Sequence, residues 1–121
     1  MAEVLSCQTL DQFKQNLEDG NSKKLTVIDF TATWCAPCRF MAPILSEFAN
    51  KYEDVLFLKV DVDELKTVAE DFKVDSMPTF VFLKQGKVVD RFVGANKESL
   101  LKLVTEHSGR SLPEVDPTPS T

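Results

Sequence analysis

Apolar and polar positions follow two rhythms along this chain. Over residues 9–20, Leu10, Phe13 and Leu17 recur at helical spacing on one face. Thr9 and Gln12 have the spacing of a capping box, and Gly20 supplies a stop. Leu25-Thr26-Val27-Ile28-Asp29-Phe30 is a short apolar run rich in β-branched residues, which predicts a buried strand. A helix is expected to follow residues 34–38, with Phe40, Ile44, Leu45, Phe48 and Tyr52 on its inner side and a kink at Pro43. Residues 55–60 predict a second buried strand. Asp63 is then placed to cap a helix that buries Leu65, Val68, Ala69 and Phe72. Two strands follow, over residues 79–83 and 87–93, joined by a tight turn at Gln85-Gly86. Asn96 opens a last helix with Leu100, Leu101, Leu103 and Val104 as its apolar positions, and a first strand is expected over residues 4–7. The resulting order is β-α-β-α-β-α-β-β-α. Helices between the early strands predict parallel pairing and the hairpin adds an antiparallel piece. The expected class is therefore α/β, a central mixed sheet of four to five strands flanked by about four helices. From Gly109 to Thr121 the apolar periodicity is lost and Pro113, Pro117 and Pro119 appear, which predicts a domain over residues 1–108 and a mobile tail over 109–121.

Composition narrows the class of activity. A chain of 121 residues has room for one core, and its 43% apolar and 27% charged residues are ordinary for a soluble globular protein. The 14 basic and 19 acidic side chains leave a net charge of −5, and the basic ones are scattered apart from Lys23-Lys24, so no nucleic-acid partner is expected. The longest apolar runs are strand-length, so no membrane span is expected either. The start, Met1-Ala2-Glu3-Val4-Leu5-Ser6-Cys7, lacks a basic segment followed by an apolar one and has no glycine at position 2. That argues against a secretory signal and N-myristoylation and for a cytoplasmic, reducing compartment. Three cysteines, few and odd in number, make a poor disulfide scaffold.

Two of them form Cys35-Ala36-Pro37-Cys38, a close pair that suits metal or redox chemistry. Disulfide exchange needs one thiolate to attack a sulfur and a second thiol to release the partner. If the motif opens a helix, the first thiol sits where unpaired backbone N–H groups and the helix dipole favour negative charge. The second lies one turn along, within reach of the first, and Pro37, lacking an N–H, fits that first turn. Zinc needs four ligands, and only Cys7 and His107 remain besides, far away in sequence and with no second C-x-x-C, so no metal is expected. Two inert buried cysteines are the plainer alternative. Asp29 is a second oddity: an acid inside an apolar strand is disfavoured in its charged form, unless it faces water at a strand end.

Trp34-Cys35-Ala36-Pro37-Cys38 resembles the active site of the thioredoxin family, and the resemblance extends over roughly residues 4–108. Asp29-Phe30-Thr31-Ala32-Thr33-Trp34, Arg39-Phe40-Met41-Ala42-Pro43, Val55-Leu56-Phe57-Leu58-Lys59-Val60-Asp61 and Met77-Pro78-Thr79-Phe80 are similar to the cytosolic h-type thioredoxins of plants. This resemblance implies a thioredoxin fold and a protein disulfide reductase in which Cys35 attacks and Cys38 resolves. Asp29 would be the buried acid that exchanges protons with Cys38, with Lys59 close to it and Pro37 fixing the motif. The client groove would be walled by Trp34, Ala36, the cis-proline loop at Met77-Pro78, and Val93-Gly94-Ala95, where glycine lets an extended peptide approach.

No bound cofactor is implied, because the dithiol carries the electrons. They would come from an NADPH-dependent thioredoxin reductase and pass to client proteins with disulfides, the chain acting as a monomer. Most family members have Gly or Pro where this chain has Ala36, a departure that bears on redox potential and partner range while leaving both sulfurs in place. The tail after Ser108 also runs beyond the usual family end. Cys7 resembles an extra N-terminal cysteine of many h-type members, and is read either as a small buried hydrophobe or as a site of mixed-disulfide formation.

Three rival readings compete with this one. An oxidase or isomerase of the same fold usually carries His before its second cysteine, where this chain has Pro37. A non-catalytic docking or chaperone module would have no need of both cysteines. A dimer bridged by an iron–sulfur cluster through Cys35 would be coloured.

Overall fold

The computed structural model describes residues 3–109, and the tail expected beyond Gly109 lies outside the described residues. Its elements are β1 (Leu5–Cys7), α1 (Leu10–Asp19), β2 (Leu25–Thr31), α2 (Ala36–Lys51), β3 (Val55–Asp61), α3 (Lys66–Asp71), β4 (Thr79–Lys84), β5 (Lys87–Val93) and α4 (Lys97–Ser108). The strands form one five-stranded sheet in the order β1-β3-β2-β4-β5. β1 and β2 run parallel to β3, as the intervening helices require, while β4 pairs antiparallel with β2 and β5. This is the mixed sheet with four helices that the sequence patterns predict.

Alternation along β2, the central strand, distributes its side chains to two cores. Leu25 and Val27 join Phe57, Phe80 and Phe82 under α2 and α4, whereas Ile28 and Phe30 join Leu58, Val60 and Val81 under α1 and α3. Every residue of β2 is buried, so Asp29 is carried into the interior by its neighbours' packing. Cys7 lies in the second core, where Asn16 Nδ2 donates to its Sγ at 3.4 Å.

Local signals account for the helix starts. The Thr9 Oγ1 accepts from Gln12 N while the Gln12 side chain accepts from Thr9 N, a complete capping box, of the kind that stabilises a helix by about 1 kcal/mol. Asn96 caps α4 through Ser99 N. The hairpin turn places Gln85 and Gly86 at φ of 52° and 79°, the left-handed pair that a two-residue connection demands.

Some expectations about individual side chains need correction. Phe40 points outward, 61% exposed, and Met41 is buried instead. The inner face of α2 is the stripe Cys38, Met41, Leu45, Phe48 and Ala49, and Ile44 is only half-buried. Asp63 does not cap α3. Asp61 Oδ1 accepts from Asp63 N and Glu64 N at the end of β3, and α3 begins at Lys66 with no side-chain cap. Gly20 ends α1 as expected, as its C-cap, without entering the left-handed region. It stays right-handed and leads into one 3-10 turn over Gly20–Ser22, and its lack of a side chain matters because a Cβ there would run into Thr26 Oγ1. Leu10 is exposed, while Leu17 and Phe72 are half-buried against the second core.

Candidate active site

The chain leaves β2 at Thr31 and enters α2 five residues later, and Cys35 stands at that entrance as the helix N-cap. Its backbone is extended, and its Sγ accepts from Cys38 N at 3.2 Å. A sulfur thus takes the place that a serine or aspartate oxygen usually fills, at the end of the helix where the dipole favours negative charge. Cys35 and Cys38 are joined in a disulfide, with Cα atoms 5.3 Å apart, and Cys7 is the free cysteine. Ala36 and Pro37 occupy the exposed side of this first turn, and both sulfur-bearing residues are buried. Pro43 is accommodated inside α2.

Two other segments close on the sulfurs. Met77 packs beside Cys35 and Cys38, with its carbonyl oxygen 3.6 Å from Cys35 Sγ. The Met77–Pro78 peptide bond is cis, and the Pro78 carbonyl accepts from Gly94 N at 2.9 Å. Gly94 lies at φ 120°, a backbone region that side chains other than glycine's rarely allow. The register pairing Thr79 with Val93 sets Val93-Gly94-Ala95 alongside the Met77-Pro78 loop. Trp34 stands at the other side, 64% exposed, its Nε1 donating to Asp63 Oδ2 at 2.9 Å. Trp34 and Val93, the latter 54% exposed, leave an apolar rim around sulfurs that are themselves nearly covered.

Beneath the disulfide lies a cavity of about 310 Å³ whose lining includes Asp29, Thr31, Cys38, Arg39, Lys59 and Asp61. Asp29 is 3% exposed, and its Oδ1 has no hydrogen-bond partner among the described residues. Burial pushes its carboxyl up to about 7, against the opposing pull of Lys59, which faces it in register across β3. The cavity therefore joins an acid that titrates near neutrality to the second cysteine of the motif. Burial also raises the Cys7 thiol, with Asn16 pulling the other way, a direction that disfavours its thiolate.

Of the residues singled out in the sequence, Cys35, Cys38, Met77 and Pro78 converge directly, and Asp29, Cys38 and Lys59 meet around the cavity. Trp34, Ala36, Val93 and Ala95 flank them from the surface. The sequence reading missed Asp63 as the partner of Trp34. It also missed Arg39, which lines the cavity and donates through Nη1 to Thr33 O at 2.9 Å. Arg39 follows Cys38 directly, and that adjacency was the available signal. Among the described residues, no three His, Cys, Asp or Glu side chains are grouped to hold a metal ion, and no helix is long and apolar enough to cross a membrane.

The chain is similar to known proteins over most of its length. The thioredoxin family model matches residues 4–106. Thioredoxin H5 of Arabidopsis thaliana is 53% identical over 108 residues, covering 88% of this chain and 92% of the relative. An h-type thioredoxin of Ricinus communis is 54% identical over 106 residues, covering 87% and 90%. The crystal structure of a thioredoxin from Nicotiana alata superposes with a TM-score of 0.83 at 44% identity, covering 88% of this chain and 93% of that one. With a dithiol pair at a helix start, a cis-proline loop against it and this degree of similarity along nearly the whole described chain, the protein belongs to the thioredoxin family, with plant h-type members among its relatives.

Proposed function

We propose that this protein disulfide reductase works by a division of labour between its two sulfurs, with Asp29 moving the proton between steps. The Cys35 thiolate attacks one sulfur of a client disulfide. The client S–S bond breaks, its other sulfur leaves with the electron pair and takes up a proton, and a mixed disulfide joins Cys35 to the client. Asp29, deprotonated in part at neutral pH, accepts the Cys38 proton through the cavity. The Cys38 thiolate then attacks Cys35 Sγ and expels the second client thiolate. Two electrons have passed to the client, and the chain is left with the Cys35–Cys38 disulfide, the oxidised state of this structure.

The observation that carries this reading is the position of Cys35 Sγ, N-cap acceptor of α2 and neighbour of the Met77 carbonyl. The helix start favours a thiolate at Cys35, while Cys38 lies one turn deeper, against the cavity. Clients would lie between Trp34 and Ala36 on one side and Met77, Pro78, Val93, Gly94 and Ala95 on the other, with Pro37 holding the first turn. The dithiol itself stores the electrons, so the cycle needs no prosthetic group. An NADPH-dependent thioredoxin reductase restores it, and the chain acts as a monomer in the cytoplasm.

The test is to mix Cys35→Ser and Cys38→Ser, each pre-reduced, with a disulfide-bonded client and separate the products without reductant. Cys38→Ser should accumulate a covalent adduct and Cys35→Ser should form none. An adduct on Cys35→Ser alone would reverse the assignment. Measuring the Cys35–Cys38 potential against a glutathione buffer separates a reductase from an oxidase, whose potential is higher.

A further inference from the structure

The wall of the groove nearest the sulfurs is buried at Pro78, but the stretch leading up to it is largely exposed. After α3 the chain turns at Lys73, a non-glycine residue at φ 57°, and runs through Val74, Asp75 and Ser76 to Met77-Pro78. Lys73, Asp75 and Ser76 are exposed, Val74 and Met77 are half-buried against the core, and Pro78 is buried. The loop's turns are held by Lys73 N and Val74 N bonding back to Glu70 O and Ala69 O, and by Thr79 Oγ1 donating to Ser76 O. The last carbonyls of a helix such as α3 have no intrahelical partner. Here two carbonyls at its end are met from another strand: Arg91 of β5 donates through Nη1 to Phe72 O at 2.7 Å and through Nη2 to Lys73 O at 3.3 Å. Three residues further along the same strand direction, Gly94 N donates to Pro78 O. One segment thus grips the loop at both ends, by a side chain before Met77 and by a backbone amide after it.

We propose that Arg91 is a positioning residue for client binding, fixing the Met77-Pro78 wall from behind by clamping the start of the loop that carries it. A planar guanidinium with two donors suits this task, because two diverging bonds fix orientation as well as distance, which a single ammonium contact does not. The inference rests on the reading of Met77-Pro78 as a client wall. Its selectivity follows from the geometry. A protein client lies along the loop and registers its displacement, and misplacement by about 1 Å can be costly to a reaction that depends on alignment. A small disulfide needs Cys35 Sγ, which is set mainly by the start of α2 and touches the loop only at the Met77 carbonyl, and it does not lie along the rest of the loop.

The experiment compares pre-reduced wild type, Arg91→Met and Arg91→Lys in single-turnover reduction of insulin and of the small aromatic disulfide DTNB, with melting followed for each. Arg91→Met should lose roughly five-fold or more of its rate constant with insulin while staying within about two-fold of wild type with DTNB. Arg91→Lys, which keeps one donor, should fall between. A proportional loss with both substrates would make Arg91 a structural residue only, and no loss with either would overturn the proposal. Were wild type itself unable to reduce insulin, the reading of the whole groove would fail, whereas an active wild type with an indifferent Arg91→Met sinks this inference alone.

Discussion

Replacing Asp29 by Asn keeps the shape of the side chain and removes its charge, and the structure gives both a size and a pH course for the effect. Asp29 has its pKa raised from 3.8 to about 7, chiefly by burial, with Lys59 opposing. A carboxyl whose pKa is higher in the folded than in the unfolded state costs stability once it must ionise. The cost is absent below the unfolded pKa, grows as pH rises from about 4 to about 7, and is constant above that. A difference of roughly three pKa units, at about 1.36 kcal/mol each, makes the full cost on the order of 4 kcal/mol. The group is almost wholly buried, so solvent screening does not reduce it much.

The new amide adds a second effect. Asp29 Oδ1 has no hydrogen-bond partner among the described residues, and an amide placed there costs about 1–3 kcal/mol if it too finds none. That cost does not vary with pH, so the slope is diagnostic and the offset is not. Urea unfolding of the two oxidised proteins between pH 4 and pH 9 should show Asp29→Asn gaining about 4 kcal/mol relative to wild type across the interval, then levelling off. With an m-value of about 2 kcal/mol/M the midpoints would separate by a further ~2 M. Stability curves that run parallel across this range would refute the raised pKa. The same variant should release its mixed disulfide slowly near pH 7 and recover at higher pH, as Cys38 ionises unaided. Rapid-mixing profiles identical to wild type would leave Asp29 without a part in proton transfer.

Cys7→Ser should leave disulfide turnover nearly unchanged while lowering the melting temperature by a few degrees, since a hydroxyl replaces a thiol in the second core beside Asn16; a large loss of turnover would bring the third cysteine into the mechanism. Ala36→Gly and Ala36→Pro should shift the Cys35–Cys38 potential or the rates with particular clients, read by equilibration with glutathione, and both variants should remain active. A folded but inactive Ala36→Gly protein would contradict the assignment of thiolate stabilisation to the helix start.

Elements with a strong local signal were legible in the sequence. The Thr9–Gln12 capping box, the Asn96 cap and the Gln85-Gly86 turn all stand where composition and spacing place them, because each is decided by residues a few positions apart. The phase of α2 was legible only in part: Leu45, Phe48 and Tyr52 are buried as expected, whereas in the first half the sequence favoured Phe40 over Met41, a choice set by how α2 lies on the sheet once Cys35 fixes its start. Asp63 fails for a similar reason. Asp61, Asp63 and Glu64 are near-equal candidates for a cap, and the fold assigns Asp61 to the turn and Asp63 to the indole of Trp34. Within the site, the cysteine pair announces itself, and the burial of Asp29 follows from the run around it. The facing of Asp29 and Lys59 depends on strand register between segments thirty residues apart, which no local pattern encodes; the family resemblance supplied it.

In α2, the same turn that presents the sulfurs to clients exposes Ala36 and Pro37, while Cys38, Met41, Leu45 and Phe48 hold the helix to the sheet. Cys38 serves both chemistry and packing, whereas Ala36 and Pro37 face outward and bear no core contact. A duplicated copy of such a gene can drift at the two outward positions and acquire a new potential or new clients without loosening a single core contact. The reverse does not hold, because the interior carries Asp29 and Cys38 and cannot change there without reaching the sulfurs. Tuning on the outer face is therefore free of the core, while the core is not free of the chemistry.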